Sequence, residues 1–482
     1  MAMAKSETGL LVRSLPLAAI AGGMAWGIRG QYGHETGAMI FGVLVGLVIV
    51  LMVLPQATAL QAARAIGLFT LAIGFGGSMT YGQTIGLTMD AGIHGNATDP
   101  HWNAAAYRWG MIGLAIKGSL WIGFGGLFLG IGLSHRKVSP REMLGIGIAL
   151  ILLFFVGRWL LNSPFDPPNK QLPYIYFSDH WQWEDASNVK PRPEVWGGLL
   201  IAFAGLMGYF VAIKRDPLPV LLGLWGIAGG LGFPIGQSLQ AAEAWDSAAF
   251  AQGIGWRIGA NSWNMMEVTF GMIAGFCLSM GCWIHRQRIC RVATDVDVRM
   301  SPAFESWLIG FCVYVLLVGW YFENSVFVLF HEIGLLMGLV PMVVMLGGRY
   351  APFLYVLPIV ALSIIVKTYL AKFLQADFLA TSLGLVFLVT LPLALLIWLA
   401  FYFAHRGTVA GSARRFAGIC LAMTSTLYFW MNFTIFSLPW DWFSDSRGLL
   451  AQKHSGGFYV VGWCTLLTTG LVASLSASRR EK

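Results

Sequence analysis

About fourteen apolar runs, each ~20 residues long, follow one another along this chain, and that length carries an α-helix across the hydrocarbon layer of a bilayer. Fifty-seven per cent of the 482 residues are apolar and only 11% are charged. In lipid a spanning segment has to satisfy its own backbone hydrogen bonds, so such runs form helices. The expected fold class is all-α: a polytopic integral membrane helix bundle of about fourteen spans, some of them broken, with internal repeats. The runs cover 9–28, 37–55, 65–88, 105–133, 143–161, 195–213, 217–239, 262–284, 303–322, 327–346, 352–371, 377–403, 416–438 and 457–477. A single membrane domain over 1–482 results, with the first five spans in 1–161, a long loop at 162–194 and the remaining spans in 195–482. The first run carries Arg13, shows no small-residue cleavage site and is followed at once by a second run, so it reads as a span rather than a cleavable signal.

Alternate loops separate by their basic residues. One set holds Lys5, Arg64, Arg136, Lys137, Arg141, Lys214, Arg215, Arg286, Arg288, Arg291, Arg299, Arg349, Arg406, Arg414, Arg415, Arg479, Arg480 and Lys482; the other set is poorer in Lys and Arg and richer in acids. The positive-inside rule then places both termini in the cytoplasm, with the chain in a bacterial-type inner (plasma) membrane. The same rule accounts for the net charge of +8 without nucleic acid as a partner. Five of the six cysteines, Cys277, Cys282, Cys312, Cys420 and Cys464, fall inside spans, and Cys290 lies in a basic loop. That distribution implies neither a disulfide framework nor a metal site.

The ionisable residues within or beside the runs gather towards the other face. Arg29, His34, Glu35, Asp90, His94, His101, Arg108, Lys117, Arg257, Glu267, Glu323, His331 and Glu332 all map to the outer half. A charge at mid-bilayer costs at least ~2.5 kcal/mol, so this one-sided concentration marks a functional region.

Glycine patterns point the same way. Gly22-Gly23 precedes Gly30-Gln31, Gly76-Gly77 precedes Gly82-Gln83, and Gly229-Gly230 precedes Gly236-Gln237, with Pro234 inside the third segment. Gly, Pro and Gln near the outer end of a span make a helix that can break and turn backbone groups towards a cavity. Packing glycines are the competing reading. The expectation is that all three segments converge on one polar cavity.

A second recurrence is His34-Glu35-Thr36-Gly37 and His331-Glu332-Ile333-Gly334, each at an outer helix start, in a chain with nine histidines. Acids at a helix N-terminus also complement the helix dipole. The segment from Gly27 to Ala38 faintly resembles the glycine-rich helix-start motifs of chloride channels and antiporters. It lacks their proline and is offset by one residue, so only the anion-favouring physics of a helix start carries over. Lys117 and Glu267 each precede a basic His-Arg pair, His135-Arg136 and His285-Arg286, by about eighteen residues, or ~27 Å of helix. Their equal depth predicts that they pair or line a shared hydrated cavity.

No Walker A loop and no tight metal-ligand spacing is present, and no cofactor is implied. Two functions remain. One is a secondary, ion- or proton-coupled transporter of a small polar or anionic solute. Its binding candidates are Arg29, Gln31, His34, Glu35, Gln83, Lys117, Gln237, Arg257, Asn264, Glu267, His331 and Glu332. The other is a membrane-embedded glycosyl or acyl transferase with an outward-facing site and a lipid-linked donor, covered by the aromatic, Pro-rich loop 162–194. The expected partners are the bilayer with a solute and coupling ion, or a lipid-linked substrate, and the reading admits a homo-oligomer.

Overall fold

The structure, a computed structural model, describes residues 2–29, 35–77, 81–89, 104–136, 138–178, 191–250, 262–289, 300–322, 347–359, 385–407, 412–430 and 456–480, with positions 252 and 383. Their regular structure is helical, without a strand among the described residues. Seven of the described helices are long and apolar enough to cross a membrane, and Gly37–Val53 and Leu391–Arg406 are shorter apolar helices. The expected span 327–346 lies outside the described residues.

The main helices are α1 (Ala2–Arg29), α2 (Glu35–Val53), α3 (Ala59–Gly76), α4 (Gly82–Met89), α5 (Ala104–Leu133), α6 (Pro140–Leu161) and α7 (Trp196–Gly208). They continue with α8 (Pro217–Gly230), α9 (Gly232–Trp245), α10 (Ser262–Ile284), α11 (Pro302–Phe322), α12 (Leu391–Arg406), α13 (Ser412–Trp430) and α14 (Gly456–Arg480). Local chemistry sets several starts. Thr58 caps α3 by accepting from the Gln61 amide at 3.1 Å. Ser139 and Glu142 form a reciprocal capping box ahead of α6, with Pro140 in its first turn. Asp216 caps α8 before Pro217.

Burial is inverted relative to a water-soluble protein. Lys117, Glu194, Gln237, Gln240, Glu267 and Thr84 are buried, while Ile148, Leu152, Phe155 and Trp159 of α6, Trp307 and Phe311 of α11 and Val472 of α14 are exposed. An apolar perimeter around buried polar groups is the arrangement a lipid solvent requires.

Glycine sets how closely the helices pack. A Cβ on Gly22 would stand 2.1 Å from the Gly271 carbonyl oxygen, and a Cβ on Gly230 2.2 Å from that of Gly118. Thus α1 locks against α10, and α5 against α8, backbone to backbone. For Gly22 and Gly230 the packing reading therefore holds.

Of the three segments expected to break, one coincides with a helix end: α3 stops at Gly76 and α4 starts at Gly82. The third expected span, 65–88, divides into α3 and α4. Gly76 leaves room for the Trp121 indole, which would lie 2.4 Å from a Cβ there, and the indole N–H donates to the Ile73 carbonyl at 2.6 Å. In the seventh span α8 and α9 run on as one helix, Pro217–Trp245, through a turn at Leu231 whose dihedrals stay helical. Pro234 has no N–H to give the Gly230 carbonyl, and that oxygen lies 2.4 Å from where a Gly118 Cβ would stand. The first segment differs from expectation: α1 runs unbroken through Gly22 and Gly23 to Arg29.

The connections sort into two rims. On one, Ala59 N–H donates to Ser412 Oγ, Ala413 N–H to the Ala57 carbonyl and Arg64 to the Gly348 carbonyl. There too Ser134 bonds Asp216, and Lys214 pairs with Glu142 at 2.7 Å. On the other, Thr84 meets Phe177, Gln237 meets Thr88, and Tyr459 meets Asn264. The loops grouped by their Lys and Arg content are the ones that join on the first rim.

Candidate functional site

Between the rims, five elements each place one ring in a shared aromatic cluster. Trp26 of α1 lies 5.0 Å from Trp121 of α5 and 4.4 Å from Phe270 of α10. Tyr81, just before α4, lies 5.5 Å from Trp121 and 5.4 Å from Phe233 of α9. Phe233 and Phe270 stack at 4.8 Å. All five rings are buried. The three Gly-Gln segments do converge here, since Trp26, Tyr81 and Phe233 belong to them. Their meeting point is this apolar floor and not the expected polar cavity. The rings of five helices fill the space that glycine leaves open.

The polar side chains sit about one helical turn, ~5 Å, further towards the second rim. Lys117 lies one turn beyond Trp121, Gln237 one turn beyond Phe233, Glu267 one turn beyond Phe270, and Gln83 and Thr84 just beyond Tyr81. Arg29 takes the corresponding place after Trp26 at the end of α1. The ring of polar groups is therefore a consequence of one repeated order along each element, aromatic and then polar.

Its first part is an ion pair. Lys117 Nζ donates to Glu194 Oε1 at 2.7 Å, with both side chains 2% exposed, and to Thr84 Oγ1 at 2.7 Å. Glu194 Oε2 accepts from the Phe177 amide at 3.0 Å and from the Trp196 indole at 3.2 Å. Thr84 in turn donates to the Phe177 carbonyl at 2.5 Å. Each charge has a counter-charge and further hydrogen bonds, the condition under which a buried pair is tolerated. This corrects the expected Lys117–Glu267 pairing. The two residues do share a depth, but Lys117 on α5 faces α4 and the loop ahead of α7, whereas Glu267 lies on α10, which packs against α1.

The same contacts fix the near end of the 162–194 loop. Phe177 fills the space over Gly113, where a Cβ would stand 2.7 Å from its ring, and packs on Trp109 and Trp196. Tyr176, Phe177 and Ser178 are buried, so this stretch inserts into the bundle instead of lying flat on it.

A second part is made of amides. Gln237, 0% exposed, donates through Nε2 to Thr88 Oγ1 at 2.9 Å, and Trp245 donates to the Thr88 carbonyl at 3.0 Å. Gln237 Oε1 and both amide atoms of Gln240 are buried without a hydrogen-bond partner among the described residues.

The third part joins α10 to α1 and α14. Asn264 Nδ2 donates to the Gly27 carbonyl at 3.3 Å, and Tyr459 donates to Asn264 Oδ1 at 2.7 Å. Glu267 lies one turn along α10 from Asn264 and is 7% exposed.

Of the sequence candidates, Gln83, Lys117, Gln237, Asn264 and Glu267 thus belong to one belt of the bundle. Arg29 and Glu35 lie at the ends of α1 and α2 facing that rim, with the helix but not the side chain described. Gln31, His34, Arg257, His331 and Glu332 lie outside the described residues. Sequence reasoning missed Glu194, Thr84, Thr88, Gln240 and Tyr459. Gln240 had a signal, since it repeats Gln237 after one turn, and Glu194 had one as the acid heading an apolar run. Thr84, Thr88 and Tyr459 had none, because each gains its role only from a neighbour on another helix. Among the described residues no three His, Cys, Asp or Glu side chains come together. No family model, curated protein or solved structure matches the chain.

Proposed function

We propose that the chain is a secondary transporter of a small polar or anionic solute. In this reading it has about fourteen spans, internal repeats and both termini in the cytoplasm of a bacterial-type inner membrane. The observation that carries it is the belt of buried polar side chains resting on an aromatic floor, at the level where α3 ends and where Pro234 removes a backbone bond from the seventh span. Interrupted helices at a polar belt are the sites where transporters hold solutes and coupling ions. The floor of Trp26, Tyr81, Trp121, Phe233 and Phe270 then acts as the closed gate towards the basic rim. The end of α3 at Gly76 and the turn at Pro234 in the seventh span are the places where α4 and α9 can move while the glycine-locked pairs stay rigid. Glu267, one turn from Asn264 on α10 and buried in the belt, is the carboxylate assigned to carry a coupling proton.

One observation favours the second reading, a membrane-embedded transferase with a lipid-linked donor. The side towards the basic rim is sealed by the floor, as an enzyme with a single opening requires. The discriminating experiment reconstitutes the full chain in liposomes, with candidate solutes first selected by the thermal stabilisation each gives the purified protein. Accumulation of a selected solute under an imposed pH gradient is expected, with Glu267→Gln abolishing gradient-driven uptake while leaving solute exchange. Turnover of a lipid-linked donor with no solute crossing the membrane would overturn transport in favour of the transferase.

A further inference from the structure

A buried amide without hydrogen-bond partners is costly, because it has left water and gained nothing in exchange. Among the described residues Gln240 has both amide atoms in that condition while only 2% exposed, and Gln237 adds an unpartnered carbonyl oxygen at 0% exposure. The two side chains are three residues apart on α9, on neighbouring positions of one helix face. Among the described residues their unused hydrogen-bonding capacity is specific: two carbonyl oxygens that accept, and one amino group that donates. The remaining polar group of the cluster, Thr88 Oγ1, is already engaged, since it accepts from Gln237 Nε2 and donates to the Ile85 carbonyl at 2.7 Å. The nearby cation is engaged as well, because Lys117 is paired with Glu194.

From this complement we infer that α9 carries a subsite for an uncharged carboxamide or urea group. Such a group offers two N–H donors to the oxygens of Gln237 and Gln240, and one carbonyl to Gln240 Nε2. A carboxylate of the same size offers only acceptors, so it would set its charge against two amide oxygens with no donor to bridge them. The subsite rests on the transport reading and narrows its solute to one bearing a carboxamide. Both amides are buried in this structure, and entry uses a bend of the helix at Pro234, which gives no N–H to the Gly230 carbonyl.

The test uses the full chain in detergent, with acetamide and urea as probes and acetate as the isosteric control. The wild-type protein is expected to melt at a higher temperature with acetamide or urea and not with acetate. Gln240→Met, which keeps length and removes the unpartnered amide, is expected to raise the melting temperature without ligand and to erase the acetamide response. An equal response to acetate and acetamide would overturn the subsite, and that comparison needs no variant. So would a lower melting temperature for Gln240→Met, which would mean that the amide is satisfied within the fold. These readings need no gradient and no flux. A protein that responds to acetamide but moves no solute keeps the subsite and loses transport; one that transports but ignores acetamide does the reverse.

Discussion

At the scale of single residues, the ion pair Lys117–Glu194 ties the 162–194 loop to the bundle. Taking two charges out of water is expensive, and their attraction repays it only while both partners remain. Replacing Lys117 by Met, or Glu194 by Gln, leaves the other group buried and unpaired, and should cost about 3–5 kcal/mol of stability. The double variant Lys117→Met with Glu194→Gln should recover most of that loss, as read by thermal unfolding in detergent. If the double variant is as unstable as the sum of the singles, the pair does not interact. The depth of Lys117 was legible in the sequence, because the rise per residue of a helix converts position into height. Its partner was not, since depth says nothing of which way around the helix a side chain points. Glu194 reaches Lys117 only because a loop without periodicity returns to the bundle through Phe177.

At the scale of elements, the glycine pairs show how one residue type serves two ends. The pattern of Gly-Gly followed by Gly-Gln marked three segments. One of them ends α3 at Gly76, while α1 runs on to Arg29 with Gly22 against Gly271 and Gly23 facing the carbonyl of Val268. Break and close contact share the same composition, so the sequence could not separate them; the neighbouring helix decides. Gly22→Ala puts a methyl group 2.1 Å from the Gly271 carbonyl oxygen and 3.1 Å from the Phe41 ring, and backbone cannot retreat as a side chain can. A loss of at least ~1–3 kcal/mol is expected, the usual cost of overpacking. Gly145→Ala is the matched control: it lies on the exposed side of α6 with nothing within 4 Å of the new methyl group. It should leave the unfolding temperature unchanged or raise it, since Ala is the better helix former. Similar losses at both positions would mean that the close approach of α1 and α10 is not what holds them together.

At the scale of the whole molecule, the division into two rims is the feature the sequence carried most directly. Alternating loops differ in Lys and Arg, and those basic loops are the ones joined by side-chain bonds to Ser412, Gly348, Asp216 and Lys214. The rims fix which loops share a side, and the positive-inside rule says which side is the cytoplasm. Single cysteines in a background lacking the natural ones, including the exposed Cys464, test that orientation. Ser178 is unsuitable as the outer probe, because it is buried with Phe177 against α5. Tyr174, 99% exposed on the same loop, takes its place, and Ser301, exposed ahead of α11, reports the basic rim. In intact cells a membrane-impermeant thiol reagent should modify Tyr174→Cys and spare Ser301→Cys until the membrane is opened. The reverse pattern would turn the molecule over in the bilayer. The belt of Lys117, Gln237 and Glu267 would then lie nearer the cytoplasm, with the aromatic floor closing the outer half. A donor or solute would have to arrive from inside, and the case for an outward-facing site would fall with the orientation on which it depends.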